Sequence, residues 1–140
     1  MQKILLAVDG SDNALRAVEH VARRAAASAD TEVLLVNVQH QLHGSVSSFI
    51  DAGQVKQYHH DEGMKALTPA REKLEASGVR HSHHLFVGEP AEVIARYAKE
   101  QKCDEIVIGT RGLSGIGSLF MGSVATKIIH LADMPVLLVK

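Results

Sequence analysis

The chain has 140 residues, 46% of them apolar, and a formal net charge of −1. That length suits one domain with a sizeable core, and so large an apolar share excludes disorder. Near-neutral charge and an aromatic content of only 4% remove the general electrostatic and base-stacking cases for nucleic acid.

Met1 to Lys3 lead into the apolar run Ile4–Val8, which Asp9 ends. A secretory core needs roughly 7–15 apolar residues and a membrane span about 20, so a soluble, cytoplasmic protein is expected. The single cysteine, Cys103, permits no internal disulfide and suits a reducing compartment. Ile4–Val8 reads as a central parallel strand buried on both faces. Asp9 to Asn13 is a turn in which Ser11 or Asp12 can cap the following helix. Ala14, Leu15, Val18, Val21, Ala22 and Ala25 recur at helical spacing with charges between them. Val33–Val38 is a second strand.

Gln39 to Gly53 has no clear period and is long for a connection, so it is expected to be mobile or functional. A helical stretch follows, clearest from Met64 through Leu67 and Leu74, with a kink or break expected at Pro69 and an end at Ser77-Gly78. Val79–Val87 is a more polar strand. Gly88-Glu89-Pro90 opens a helix whose core face is Val93, Ile94, Tyr97 and Ala98. Glu105–Ile108 is strand four, Ser123–Ala132 the last helix and Val136–Val139 strand five. Strict alternation of strand and helix implies a single α/β domain over residues 1–140. Its sheet is expected to be doubly wound, parallel and five-stranded, with right-handed crossovers and helices on both faces. Such sheets bind ligands beyond the carboxyl ends of their strands. Asp9, Val38 and Gly109 all fall there.

Gly109-Thr110-Arg111-Gly112 and, nine residues later, Gly122-Ser123 join strand four to the last helix. Glycines admit close backbone approach, and a helix start offers free N–H groups and a favourable dipole, so the segment suits phosphate. Asp9 can accept from ribose hydroxyls, and Val38 can present backbone and side chain to a base. Each has a plainer reading: a tight turn for the glycines, a helix cap for Asp9, core for Val38. Their convergence on one sheet edge favours the ligand. Gly117 to Ser123 nearly matches the phosphate loop GxxxxGK[ST], but Ser123 stands where lysine should be. Arg111 or Lys127 could substitute; without either, hydrolysis lacks its usual cation. The cluster His81-Ser82-His83-His84 reads as a solvated strand end rather than a metal site. Cys103 reads as packing, and Lys3, Lys56 and Lys65 as solvated surface. No catalytic constellation appears. Neither a receiver domain's clustered acids nor a flavodoxin's hydroxyl-rich first loop is present.

The spacing G-x2-G-x9-G-[ST] over Gly109, Gly112, Gly122 and Ser123 resembles the signature of ATP-binding universal stress proteins. The similarity extends over Lys3–Ser11, Gly88–Ala91 and Met134–Val139, and so over nearly the whole chain. It implies strand order 3-2-1-4-5 and a cytoplasmic stress-response protein that acts as a nucleotide-dependent switch, with an unidentified regulatory partner. The ligand implied is ATP, or AMP or ADP, with Mg2+ left open. Ala7 and Val38 would flank adenine and Asp9 would contact the ribose. Gly109, Thr110, Arg111, Gly112, Gly122, Ser123 and Val124 would hold ribose and phosphates. It also implies a homodimer through Val136–Val139, an apolar edge that soluble proteins otherwise avoid. The alternative reading is a slow ATPase or a phosphoryl or nucleotidyl transferase using the same pocket.

Overall fold

The apolar run near the N-terminus forms a strand, β1 (Gln2–Ala7), in which Ile4, Leu5 and Leu6 are wholly buried. Burial of consecutive residues means both faces are covered, the condition of a central parallel strand. A computed structural model describes residues 1–42, 51–110 and 122–140. Its remaining elements in chain order are α1 (Asp12–Ala26), β2 (Thr31–Gln39), α2 (Ala52–Ala76), β3 (Arg80–Val87), α3 (Pro90–Glu100), β4 (Glu105–Gly109), α4 (Ser123–Leu131) and β5 (Val136–Val139).

The five strands form one parallel sheet in the order β3-β2-β1-β4-β5. Alternation along the strands sends successive side chains to opposite faces. Ile4 and Leu6 of β1, with Val33 and Leu35 of β2, pack against Val18 and Val21 of α1 and Leu67 and Leu74 of α2. Leu5, Leu34, Val36 and Ile106 pack on the other face with Ile94 and Ala98 of α3 and Ile128 of α4. Cys103 is buried in that second layer, as a packing residue. The doubly wound, five-stranded arrangement expected from the alternation is thus the one observed. No described helix is long and apolar enough to cross a membrane.

Local chemistry explains most element boundaries. Ser11 caps α1, its Oγ accepting from Ala14 N at 3.1 Å. Ser77 ends α2, and Gly78 follows at φ +69°, where a side chain would be strained. Pro90 opens α3, capped by the Glu89 carboxylate, which accepts from Glu92 N at 2.8 Å. Tyr97, expected on the core face of α3, is half-buried and packs against that core layer, with its ring tilted 58° to that of Phe86 at a centroid distance of 4.8 Å.

Helix α2 departs most from expectation. It runs unbroken for 25 residues through Pro69 and begins inside the segment read as an aperiodic connection. Pro69 forfeits one backbone hydrogen bond, but Leu67, Ala70 and Leu74 around it are fully buried, and that packing holds the helix together. Its start is set by a capping box: Asp51 Oδ1 accepts from Gln54 N at 2.7 Å, and the Gln54 side chain accepts from Asp51 N at 3.0 Å. Gly63 lets the helix lie close on β3, since a Cβ there would run into the Leu85 side chain.

The histidines of β3 are less solvated than expected. His81 Nδ1 is 2.7 Å from Val79 O, and the His84 ring packs on Phe86 and Tyr97. Only His83 of the three is exposed.

Candidate functional site

Strand β1 has β2 on one side and β4 on the other, so successive connections leave it in opposite directions. Between those connections the sheet edge cannot be covered by either, and a crevice opens there. A cavity of about 640 Å³ occupies this position, within the roughly 300–1,000 Å³ of small-molecule sites. Its lining brings together Ala7, Asp9, Val38, Gly109, Gly122, Ser123 and Val124, seven of the residues singled out from sequence. Thr110 does not line it. Arg111 and Gly112 lie outside the described residues, as do Gly117 to Met121 of the near-match to a phosphate loop and residues 43–50 of the connection after β2.

The floor is fixed by backbone and side-chain bonds. Gly10 turns the chain at φ +88°, and Asp9 Oδ1 accepts from Ser11 N at 2.9 Å, which holds the carboxylate at the end of β1. At the end of β2, buried Asn37 donates through Nδ2 to Val8 O at 2.8 Å and accepts from Gln39 Nε2 at 2.7 Å. Val38 is thereby held between two anchored residues, half-buried against the core layer beneath α3.

The glycine wall has two parts with different causes. A Cβ at Gly109 would collide with the Asn13 side chain and come within 3.2 Å of its backbone O. Asn13 in turn donates to Val139 O at 3.2 Å, linking α1 to the last strand. Gly109 is therefore glycine because α1 needs the space. Among the described residues a Cβ at Gly122 meets only the Thr110 backbone, its O at 3.4 Å, an ordinary contact. Thr110 donates to Val139 O at 3.0 Å and accepts from Gly122 N at 2.6 Å, so the start of α4 is pinned to the end of β4.

Helices α1, α2 and α3 each have a side-chain cap, whereas α4 begins at Gly122 with no side-chain cap hydrogen bond. Ser123, Val124 and Ala125, its first three residues, line the cavity. The orphan N–H groups of a helix start, with the positive end of its dipole, attract an anion.

The charges around this wall differ from the sequence reading. Lys127, a candidate phosphate partner, is not on the lining; its Nζ lies 3.5 Å from both Glu89 Oε2 and Glu92 Oε1. Desolvation pushes the Glu89 carboxyl up, but the N–H groups of Glu92 and Ala91 and the Lys127 cation outweigh it, and its pKa falls below the ordinary 4.5. Lys65, read as surface, lines the cavity together with Tyr58 and Glu62. These three recur at i, i+4 and i+7 of α2 and so share one face. Tyr58 and Glu62 were not singled out from sequence because the helical period is clear only from Met64 onward; the Asp51…Gln54 capping box was the available signal. Among the described residues no three His, Cys, Asp or Glu side chains gather as a metal cage.

A model of the universal stress protein family matches residues 1–140. Universal stress protein YxiE of Bacillus subtilis is 35% identical, over 99% of this chain and 98% of its own. Among solved structures, the Methanocaldococcus jannaschii protein MJ0577 aligns with a TM-score of 0.86 at 28% identity, covering 99% of this chain and 95% of its own. A universal stress protein in complex with cAMP aligns at 0.74 and 28% identity, covering 99% and 97%. One from Archaeoglobus fulgidus in complex with dAMP aligns at 0.69 and 26%, covering 100% and 98%.

Proposed function

The chain belongs to the universal stress protein family, and from that premise we propose that it binds an adenine nucleotide, ATP or in its place AMP or ADP, in the cavity at the switch point. The observation that carries this reading is the start of α4, which has no side-chain cap among the described residues and opens on the same cavity as Asp9 and Val38. In this reading the amides of Ser123 and Val124, with the Ser123 hydroxyl, take phosphate. Asp9 accepts from the ribose, and Ala7 and Val38 flank the base. Gly109 and Gly122 complete the ribose and phosphate wall, and the family signature assigns Arg111 and Gly112 to it as well. The relatives solved with cAMP and dAMP support an adenine ligand.

Ser123 stands in the lysine position and Lys127 is engaged by two carboxylates, which leaves Arg111, of the two cations read from sequence, as the one offered to phosphate and favours holding nucleotide over cleaving it. Its role is then that of a cytoplasmic regulatory switch, read by a partner, with Mg2+ accompanying the longer nucleotides. Pairing through β5 into a homodimer fits the half-buried Val136–Val139 edge and the exposed Ile129 and Leu131. Calorimetric titration of nucleotide-stripped protein with ATP tests the main reading: saturable heat is expected, and silence in both heat and thermal shift at millimolar ATP refutes it. Sedimentation velocity tests the dimer, which a monomeric mass would refute.

A further inference from the structure

Helix α2 is longer than the sheet edge requires. A Cβ at Gly10 would lie 3.5 Å from Ala66, which sets that residue level with the end of β1. Gly63 lies against Leu85, two residues before the end of β3. From Gly63 outward, residues 52–62 rise roughly 16 Å, whereas two strand residues rise roughly 7 Å. The first turns of α2 therefore stand clear of the strand ends and form a third wall of the cavity, opposite the starts of α3 and α4.

The charge on this wall is unusual for a phosphate site. Asp9 and Glu62 are the carboxylates on the lining, and Lys65 is the only Lys or Arg among its described residues. Lys65 Nζ lies 3.5 Å from Glu62 Oε1, with 78% of the lysine side chain exposed. An exposed pair at this spacing is weak and easily exchanged. On the α2 wall an anionic ligand meets a single lysine, Lys65, already shared with a carboxylate. We propose, building on the nucleotide reading above, that α2 reads the charge of the ligand: Lys65 leaves Glu62 for a phosphate oxygen, so that Glu62 sets the affinity for phosphorylated over unphosphorylated adenine ligands. Phosphate offers an equally charge-assisted bond and carries more negative charge than the Glu62 carboxylate, whose 3.5 Å contact with Lys65 is long.

The chain carries its own reporter. It has no tryptophan and two tyrosines, Tyr58 on this wall and Tyr97 in the cluster with His84 and Phe86. In a Tyr97→Phe background, tyrosine emission reports Tyr58 alone.

The nucleotide-stripped full chain is titrated with adenosine, AMP and ATP by calorimetry and Tyr58 emission. Lys65→Gln is expected to weaken ATP about fivefold to tenfold, the effect of one exposed charged hydrogen bond, and to leave adenosine within about twofold. Glu62→Gln is expected to tighten ATP by about twofold to threefold, and the salt dependence of ATP binding to flatten in Lys65→Gln. Equal losses for adenosine and ATP, or none for either, overturn the proposal while leaving nucleotide binding intact. Failure of the unmodified protein to bind any of the three removes the nucleotide reading, and this proposal with it.

Discussion

Replacing Gly109 with alanine separates packing from ligand binding at the glycine wall. The added Cβ would enter the space of the Asn13 side chain and approach its backbone O at 3.2 Å, so α1 or β4 must shift. Overpacking of this kind costs about 1–3 kcal/mol. With an unfolding entropy of about 2.1 cal/mol/K per residue, a 140-residue chain loses roughly 3–10 °C of Tm. Gly122→Ala, whose Cβ meets among the described residues only the Thr110 backbone, its O at 3.4 Å, should change Tm by no more than about 2 °C. Urea or thermal unfolding followed by circular dichroism reads both. A double-mutant cycle with Asn13→Ala completes the test. Removing that side chain also removes its bond to Val139 O, so Asn13→Ala has its own cost. In its background, however, the penalty of Gly109→Ala should fall by more than half. If the penalty persists undiminished without the Asn13 side chain, or if Gly122→Ala is as costly, the packing explanation of Gly109 is wrong.

Three further outcomes are expected. Glu89→Ala removes the cap of α3 and should cost about 1 kcal/mol. Because the folded-state pKa of Glu89 is depressed below 4.5, its contribution is full above that pH and is lost as pH falls through the lower value; unfolding midpoints of the two proteins should converge in acid. Burial, which outweighs the opposing pull of Lys3, pushes the Cys103 thiol up to about 11. A thiolate-specific reagent at pH 8 should therefore modify folded protein far more slowly than urea-unfolded protein, and equal rates would contradict the burial. Pro69→Ala restores a hydrogen-bond donor inside α2 and should raise stability by about 1 kcal/mol or more; a lower Tm would show that the helix depends on the proline.

Sheet and core were readable because their signals are local and redundant. Ile4–Val8 is too short and apolar to be anything but a buried strand, and Val136–Val139 has the bounds read from sequence. Asp9, Val38, Gly109 and Gly122 could be collected because all lie at strand or helix ends, where topology alone decides what meets. Gly109 was visible as a glycine but not its cause, since Asn13 comes to it from another element. The wall made by α2 was hidden for a different reason. Its first turns bury only His59 and Gly63, so they show little helical apolar period, and Pro69 argued for a break that long-range packing overrides. Lys127 turned to Glu89 and Glu92, and Lys65, solvated as read, also borders the cavity, because a lysine's surroundings are set by what lies within reach of its long side chain, which no spacing rule reports.

The place of β1 in the sheet has a consequence for how the chain assembles. Lys3 and Asp104 are hydrogen-bonded across a separation of 101 residues, while β1, β2 and β3 are successive neighbours on the other side. During synthesis the N-terminal three strands can pair as they emerge, but one edge of β1 waits for nearly the whole chain. The cavity straddles that late seam, with Asp9, Val38 and Lys65 on the early half and Gly109 and Ser123 on the late one. An occupant touching both halves binds only after they dock, so by mass action it favours the completed sheet and slows its reopening.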